Sequence, residues 1–401
     1  MKKNSPFYSY QGRNYLLPLL LITSLFFLWG FAHGILEVLN PHVQDAFQIT
    51  KTKAALVQTA VYGGYFLMAL PAGWIIRRYG YRRGVVTGLL LYALGALLFI
   101  PGAFVNSFYF FVFSLFVIGC GLTCLETSAN PYVTVLGDPS RAESRINFSQ
   151  SFNGLGWIVG PLVGGQLLFS GASIALPYAI VGVVVLLVAL VFVRVPLPEV
   201  ADASEHPAES SLRPSAGGGL LNLPFVFGVV ALFLYVAAQT GVNVFFINYM
   251  TEMADISKKT AANWLAFGGM GLFVAGRLSG SWMMNRISPC RLLGGYALLA
   301  SLATGVIVWA TGWVTMAAFF VVYLTESIMF PTIFSLALGR SGGQTKRASA
   351  ILIMTIVGGA VAPLLMGHIA DVTGSMASAF VIPLLCYLGI MLYSAFTEAV
   401  R

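Results

Sequence analysis

Three acidic residues interrupt long apolar stretches of the sequence, and they are the residues best suited to chemistry. The 401-residue chain has only 14 Asp and Glu residues, and Glu37, Glu126 and Glu326 are the three that lie within apolar runs. A charged side chain at the centre of a membrane helix costs about 2.5–3.5 kcal/mol on insertion scales. Each therefore needs a cavity, a partner or a proton; the alternative is a neutral carboxyl hydrogen-bonded to a neighbouring helix.

Carboxyl groups in such positions are suited to carrying protons. In a dry site, a carboxyl can be neutral while it faces one compartment and ionised while it faces the other. A substrate that favours one of these two states couples its own movement to that of the proton. We predict that Glu37 and Glu126 couple protons, with Glu326 as a third candidate.

Polar uncharged side chains within the same apolar runs form a second set of candidates. Amides offer both donors and an acceptor, which suits the hydroxyls of a sugar, and aromatic rings can stack on the C–H face of a pyranose. Interhelical hydrogen bonds and core packing are the alternative roles. The predicted substrate-binding residues are Trp29, Gln58, Tyr62, Asn130, Gln150, Asn153, Gln239 and Asn243.

The sequence shows no pattern typical of an enzyme. The four His residues are scattered, the four Cys residues lie in or at the end of apolar runs, and no phosphate-binding or nucleophile–base motif is present. We therefore predict no metal site, no cofactor and no enzymatic activity.

Composition determines which elements must position these residues. Apolar residues make up 58% of the chain and charged residues 9%, whereas a soluble domain is about 25% charged. A bilayer core needs roughly 20 apolar residues per helix, and backbone groups without water must satisfy one another. The first run, Tyr15 to Leu39, is too long for a cleaved signal peptide. The composition predicts an all-α membrane protein.

Apolar runs separated by Gly, Pro and charges predict twelve transmembrane helices in two sets of six. A Pro-, Ser-, Glu- and Gly-rich segment that cannot build a core separates the sets. The predicted domains are an N-terminal six-helix bundle (1–195), a cytoplasmic linker (196–219) and a C-terminal six-helix bundle (220–401). The predicted spans are 15–40, 53–76, 84–105, 108–136, 146–170, 174–195, 222–250, 260–285, 291–311, 314–338, 348–370 and 376–398.

The net charge of +8 reflects short basic loops rather than a nucleic-acid-binding surface. Most Lys and Arg residues fall in alternate loops, as expected where cytoplasmic loops retain positive charge. This pattern predicts that both termini are cytoplasmic. The arginines of these loops that are candidates for gating are Arg78, Arg82, Arg83, Arg145 and Arg347.

The two halves of the chain also repeat each other, which predicts two parallel repeats with a substrate site between them near the membrane midplane. The matching pairs, in the same order in both halves, are Gly73 with Gly280, Glu126 with Glu326, Pro131 with Pro331, Arg145 with Arg347, Pro161 with Pro363, and Gly165 with Gly367.

Several of these segments resemble the L-fucose and glucose/galactose permease branch of the major facilitator superfamily. The resemblance covers nearly the whole chain, and the LETSANPYV block is its most specific part. The segments that carry it include FFLWGFAHGILEVLNPH (Phe26 to His42), CLETSANPYVTVLG (Cys124 to Gly137), RINFSQSFNGLG (Arg145 to Gly156) and SIMFPTIFSLALG (Ser327 to Gly339).

This resemblance implies two pseudo-symmetric six-helix bundles and proton symport of hexoses or related sugars by alternating access. We also predict a protein of the bacterial inner membrane that functions as a monomer. The acid of the first span of the family falls at Glu37, where fucose permeases have Asp, and the fourth-span glutamate falls at Glu126. The amides associated with sugar in the fifth span fall at Gln150 and Asn153.

Three departures from the family pattern touch the expected cavity. Leu36 lies where the family has Asn, Glu326 lies where an uncharged residue is expected, and Asn243 replaces an aromatic or small residue. The resemblance therefore leaves the particular sugar open among hexoses, 6-deoxyhexoses and amino sugars. Two alternative functions remain open: an exporter or antiporter of small amphipathic compounds, and a sugar sensor that does not transport.

Overall fold

The structure is a computed structural model that describes residues 9–10, 13–138, 142–171, 173–195, 222–284, 286–309, 312–341 and 345–399. A short antiparallel pair, β1 (Ser9–Tyr10) and β2 (Arg13–Asn14), precedes the helices. All other regular elements in these ranges are helical. The predicted linker, 196–219, lies outside the described residues.

Seven helices build the first part of the chain. They are α1 (Leu16–Phe47), α2 (Lys51–Ala54), α3 (Leu56–Leu97), α4 (Phe99–Val105), α5 (Phe108–Val135), α6 (Ala142–Leu168) and α7 (Ala175–Arg194).

The second part contains ten α-helices and two short segments of other helical types. The α-helices are α8 (Leu223–Met253), α9 (Lys258–Trp264), α10 (Gly271–Met283), α11 (Pro289–Trp309), α12 (Trp313–Glu326), α13 (Met329–Leu338), α14 (Thr345–Met354), α15 (Gly358–Thr373), α16 (Met376–Ala379) and α17 (Val381–Ala399). A π-helical segment, Leu265–Met270, joins α9 to α10, and a 3₁₀ turn, Thr355–Val357, joins α14 to α15.

These helices account for the twelve predicted spans. Nine segments within the described ranges are long and apolar enough to cross a bilayer, and one of them, Lys51–Val105, has 55 residues, enough for two crossings. The helix α6 and the α9–α10 helix correspond to the predicted spans 146–170 and 260–285, which are less apolar. The all-α, twelve-helix prediction is confirmed.

Gly80 divides the 55-residue segment. Its φ of 84° and ψ of 168° break α3 into two helices, a backbone conformation that glycine adopts without a Cβ clash. The predicted spans 53–76 and 84–105 lie on either side of this residue. Arg78, Arg82 and Arg83 surround the break.

The span that carries Glu326 is interrupted. Glu326 is the last residue of α12, and α13 begins at Met329 after a break at Ser327 and Ile328. Pro331 follows in the first turn of α13, where a missing N–H leaves no helical hydrogen bond unmade. The break therefore places the Glu326 carboxyl at a helix end rather than within a continuous helix.

The described helices fold into two compact units. The first contains α1 up to Leu36 and the chain from Gly63 to the end of α7; the second contains Glu37–Tyr62 and α8 to α17. The predicted bundle boundaries at 195 and 220 remain predictions. Within the second unit, the segment Glu37–Tyr62 packs with helices from the second part of the chain.

Candidate functional site

In the first unit, the Tyr65 hydroxyl is within hydrogen-bonding distance of three side chains: Trp29, His33 and Glu126. Trp29 Nε1 donates a hydrogen bond to it over 2.8 Å, and His33 Nε2 lies 3.2 Å away. Tyr65 is also hydrogen-bonded to the Glu126 carboxyl. A phenol has one proton, and Trp29 Nε1 can only donate, so the single Tyr65 proton is available to the Glu126 carboxyl or to His33 Nε2. The network thus connects α1, α3 and α5 through one hydroxyl.

Spacing along α1 explains how Trp29 and His33 reach the same partner, because residues four apart share a helix face. The His33 ring also stacks on Trp157 of α6, with centroids 5.3 Å apart and planes 15° apart. These contacts hold the imidazole in a buried, fixed position.

A cavity lies beside this network, within the first unit. Gln150 Nε2 of α6 donates to Asn130 Oδ1 of α5 over 3.3 Å, so a second predicted amide contacts a residue of the cavity wall. Three of the predicted residues, Trp29, Glu126 and Asn130, line the cavity itself. The cavity is lined by Leu25, Phe26, Trp29, Leu125, Glu126, Ala129 and Asn130.

Asn153 occupies a different position. Its Nδ2 donates to the Phe26 carbonyl oxygen of α1 over 3.3 Å, and its side chain is buried. The backbone of α6 at Asn153 also packs directly on Gly30. The Asn153 amide thus connects two helices, the interhelical role considered as the alternative for these amides.

Glu37 lies in the second unit, near a chain of buried amides. Its side chain is 1% exposed, and its Oε2 makes no hydrogen bond among the described residues. Asn40 Nδ2 donates to Gln58 Oε1 over 3.1 Å, Gln44 Nε2 donates to Asn40 Oδ1 over 2.6 Å, and Asn248 Nδ2 donates to Gln44 Oε1 over 2.8 Å. Gln58 is therefore tied to α1 and, through Gln44, to α8.

Three further predicted residues of this unit lie on or against α8. The Tyr62 hydroxyl accepts a hydrogen bond from Thr240 Oγ1 over 3.3 Å. Gln239 is half-buried. Asn243 is buried, and its Oδ1 makes no hydrogen bond within the described ranges.

Glu326, the third acid, is completely buried, and Tyr387 of α17 donates a hydrogen bond to its Oε1. Tyr323 of α12 lies within electrostatic range of both Glu326 and Glu37. The second unit therefore holds two of the three intramembrane acids, and the first unit holds Glu126.

Polar contacts also tie the segment Glu37–Tyr62 to the second part of the chain. Asp371 at the end of α15 accepts hydrogen bonds from the backbone nitrogens of Lys51 (3.0 Å) and Thr52 (2.9 Å). Lys51 Nζ forms an ion pair with Glu252 at 2.9 Å, and Lys258 forms another with Asp45.

The predicted loop arginines differ in their surroundings. Arg145 is completely buried, and it donates to the carbonyl oxygens of Val133 (3.1 Å) and Asp138 (2.8 Å) at the end of α5. A cation is favoured there by the helix dipole. Arg82 donates to the Val193 carbonyl oxygen of α7 over 2.6 Å.

Of the other loop arginines, Arg83 lies over the Tyr79 ring at 5.5 Å and Arg78 is exposed. The side chain of Arg347 lies outside the described residues.

Sequence reasoning missed the tyrosines that bind the acids. Tyr65 and Tyr387 are distant in sequence from their partners, and no local spacing marks such a pair. His33 counts among four scattered histidines in the sequence, although its i, i+4 relation to Trp29 is a usable signal. Among the described residues, no group of three or more His, Cys, Asp and Glu side chains could hold a metal ion.

Comparisons with known proteins agree with this architecture. The model of the Major Facilitator Superfamily matches residues 22–356. The chain is 36% identical to the L-fucose-proton symporter of Escherichia coli K12, covering 96% of this chain and 94% of the relative. It is 37% identical to the glucose/galactose transporter of Brucella abortus biovar 1 (strain 9-941), covering 95% and 94%.

Solved structures show the same fold. The crystal structure of the transporter FucP in the outward conformation matches with a TM-score of 0.68 at 36% identity, over 96% of this chain and 99% of FucP. A bacterial homologue of the human lysosomal transporter Spinster, inward-facing and unoccupied, matches with a TM-score of 0.77 at 16% identity, over 99% of both chains. The chain therefore belongs to the Major Facilitator Superfamily, in the branch of the L-fucose and glucose/galactose permeases, and it is a multi-pass membrane transporter rather than an enzyme.

Proposed function

We propose that this protein imports a monosaccharide (a hexose, 6-deoxyhexose or amino sugar) together with protons, by alternating access. The observation that carries the proposal is the hydrogen-bonded group of Trp29, Tyr65 and Glu126 beside a cavity that also exposes Asn130. This group occurs in a chain whose relatives include an L-fucose-proton symporter and glucose/galactose transporters.

Glu126 is the proposed proton carrier of the first unit. An ionised carboxyl in a dry site is costly, and no Lys or Arg forms an ion pair with Glu126 among the described residues. Tyr65 links the protonation state of the Glu126 carboxyl to Trp29 and His33. The Tyr65 hydroxyl donates its single proton to Glu126 only while a carboxyl oxygen of Glu126 accepts it. Protonation at Glu126 therefore changes the hydrogen bonds that the cavity offers to a substrate.

The sugar would bind beside Glu126 in a state that opens this cavity further, because the cavity in this structure has room for about one water molecule. Asn130 and Gln150 supply donors and acceptors for hydroxyls, and Trp29 supplies a flat apolar surface for the C–H face of a ring. The indole nitrogen is held by Tyr65, so the ring plane is oriented before a ligand arrives. Such preorganisation lowers the entropy lost on binding.

Glu37 is the proposed second coupling site. It is buried with one oxygen that makes no hydrogen bond in the described part of the chain. The amides Asn40 and Gln58 lie on the same stretch of α1 and the start of α3. We expect Glu37 to set the pH dependence of transport, while Glu126 is required for accumulation.

Alternating access requires contacts that form in one state and break in another. If the bundles are 1–195 and 220–401, the segment Glu37–Tyr62 belongs to the first bundle by sequence while its polar contacts are with α8 and α15. The hydrogen bonds of Asp371 and the Gln44–Asn248 pair are then the contacts that we expect to break during the transport cycle.

The proposed setting is the bacterial inner membrane, with both termini in the cytoplasm and the monomer as the working unit. The distribution of Lys and Arg among the loops supports this orientation. In this orientation, the contacts of Glu37–Tyr62 lie at the extracytoplasmic end, and Arg78, Arg82, Arg83, Arg145 and Arg347 lie at the cytoplasmic end.

Uptake into proteoliposomes tests the proposal. Labelled L-fucose, D-glucose, D-galactose and D-glucosamine are offered with and without an inward proton gradient. We expect accumulation of at least one sugar above equilibrium only with the gradient. Accumulation that ignores the gradient would contradict symport, and the absence of uptake of all four sugars would contradict the substrate class.

A further inference from the structure

Several buried polar atoms around Glu326 make no hydrogen bond within the described residues of the second unit. Tyr387 donates to Glu326 Oε1, but Oε2 makes no hydrogen bond among the described residues. The same is true of the hydroxyls of Tyr235 on α8 and Tyr323 on α12, and all these side chains are buried to at least 99%. Buried polar atoms in native proteins nearly always have a partner.

These groups are neighbours. Tyr235 and Tyr323 both lie within electrostatic range of Glu326, and Tyr235 also contacts Phe330 just beyond the break between α12 and α13. Tyr235 of α8 and Tyr323 of α12 therefore bring two unsatisfied hydroxyls near the Glu326 carboxyl.

No ion pair to Glu326 occurs among the described residues. Arg277 lies within electrostatic range of Tyr235 and donates to the Ser327 carbonyl oxygen over 3.3 Å, so it is a cation beside the cluster rather than an ion-pair partner of the carboxyl. The charged and titratable groups that surround the cluster are Tyr387 and Cys386 of α17, Tyr235 of α8, Tyr323 of α12, Arg277 of α10, Glu37 of α1 and Tyr62 of α3.

The hydrogen bond from Tyr387 limits where Glu326 can carry a proton. Because Oε1 already accepts from Tyr387, a neutral Glu326 carries its own proton on Oε2, which can donate to a group placed beside the two unsatisfied phenols. The two phenols each add one donor and acceptor capacity. One acid and two phenols of this kind match adjacent hydroxyls of a sugar.

We propose that Glu326, Tyr235 and Tyr323 form a second sugar-binding subsite, which binds hydroxyls of the substrate while Glu326 carries a proton. This inference rests on the proposed function and extends it to the second unit. Loss of the proton removes the Oε2 donor, so binding of the sugar at this subsite and binding of the proton favour each other. Ordered water at the same atoms is the competing explanation, and it would not respond to sugar.

Infrared difference spectroscopy of the reconstituted full chain tests the proposal, because the C=O stretch of a neutral carboxyl is visible without any transport. A pH jump with no sugar present should show a neutral-carboxyl band that is lost in Glu326→Gln and retained in Glu126→Gln. The matched control is Glu398→Gln, which changes the same charge in the half-exposed pair with Arg291. Adding the sugar that gives the strongest wild-type uptake should shift this band.

Tyr387→Phe keeps the carboxyl and removes only the hydrogen bond to Oε1, so it remains informative if Glu326→Gln fails to fold. We expect it to move the band to higher wavenumber. If every neutral-carboxyl band of the wild type survives in Glu326→Gln, or if the band lost in that variant is unchanged in Tyr387→Phe, the assignment of the proton is overturned. A band that ignores sugar would overturn the subsite and favour ordered water. If none of the tested sugars is taken up, the proposed function fails, whereas the pH-jump result still decides whether Glu326 binds a proton.

Discussion

Asp371 Oδ2 accepts hydrogen bonds from both the backbone nitrogen and the hydroxyl of Thr52, over 2.9 Å and 2.6 Å. The Lys51 nitrogen donates to the other oxygen. One carboxylate thus holds the first turn of α2 against the end of α15. Hydrogen bonds to a charged group contribute about 1.5–3 kcal/mol each, and less at an exposed carboxylate such as Asp371. Three of them on one side chain still connect the segment Glu37–Tyr62 to the helices it packs on.

Replacing Asp371 with Ala should loosen this contact. Hydrogen exchange of the Lys51 and Thr52 amides would accelerate by roughly tenfold or more, because the charge-assisted acceptor is lost. The matched control is Glu252→Gln, which removes only the partly exposed ion pair with Lys51. Such a pair contributes about 0–1 kcal/mol, so its effect should be several-fold smaller. Equal exchange rates in the two variants would contradict the role given to Asp371.

Tyr65→Phe should impair transport without changing any charge. The variant removes the hydroxyl that accepts from Trp29 and is bonded to Glu126, and a buried donor left unsatisfied costs about 1–3 kcal/mol. We expect gradient-driven uptake to fall roughly tenfold, measured as initial rates in proteoliposomes. Tyr79→Phe makes the same chemical change at an exposed position and should keep the wild-type rate. If both variants transport equally, the Tyr65 network is not part of the mechanism.

Gly156→Ala tests the close approach of α1 and α6 that holds Trp29 and Gln150 in place. A Cβ at this position would meet the Phe27 carbonyl oxygen and lie 2.5 Å from the Phe31 nitrogen, both of them backbone atoms. Overpacking of this kind costs about 1–3 kcal/mol, so the thermal unfolding midpoint in detergent should fall.

The control for this variant is Gly73→Ala, since nothing lies within 4 Å of a Cβ there. Alanine is preferred over glycine inside a helix by about 1 kcal/mol, so the midpoint should stay or rise. A fall of the same size in both variants would show that the loss is not specific to the α1–α6 contact.

The sequence was sufficient for the spans and for naming the residues that surround Glu126, but not for their grouping. Apolar length and glycine or charge breaks mark membrane helices directly, because the bilayer imposes their length. Trp29, Glu126, Asn130 and Gln150 were predicted individually from residue type; the first three line one cavity, and Gln150 is hydrogen-bonded to Asn130.

Other features leave no mark in a single sequence. The pairing of Tyr65 with Glu126 and of Tyr387 with Glu326 depends on which helices pack together, which local periodicity does not encode. The break after Glu326 could not be located because Ser327 and Ile328 are tolerated inside helices. The grouping of Glu37–Tyr62 with α8 and α15 arises from contacts such as Asp371 with Thr52, between residues far apart in the chain.

The most direct test of proton-coupled transport through Glu126 is a comparison of uphill accumulation and counterflow exchange in Glu126→Gln. Exchange requires only binding and the conformational cycle, whereas accumulation requires proton coupling. Using the sugar that the wild type accumulates, we expect Glu126→Gln in proteoliposomes to exchange labelled sugar but not to accumulate it under an inward proton gradient, and Glu398→Gln to do both. Uphill accumulation by Glu126→Gln at the wild-type level would contradict the account.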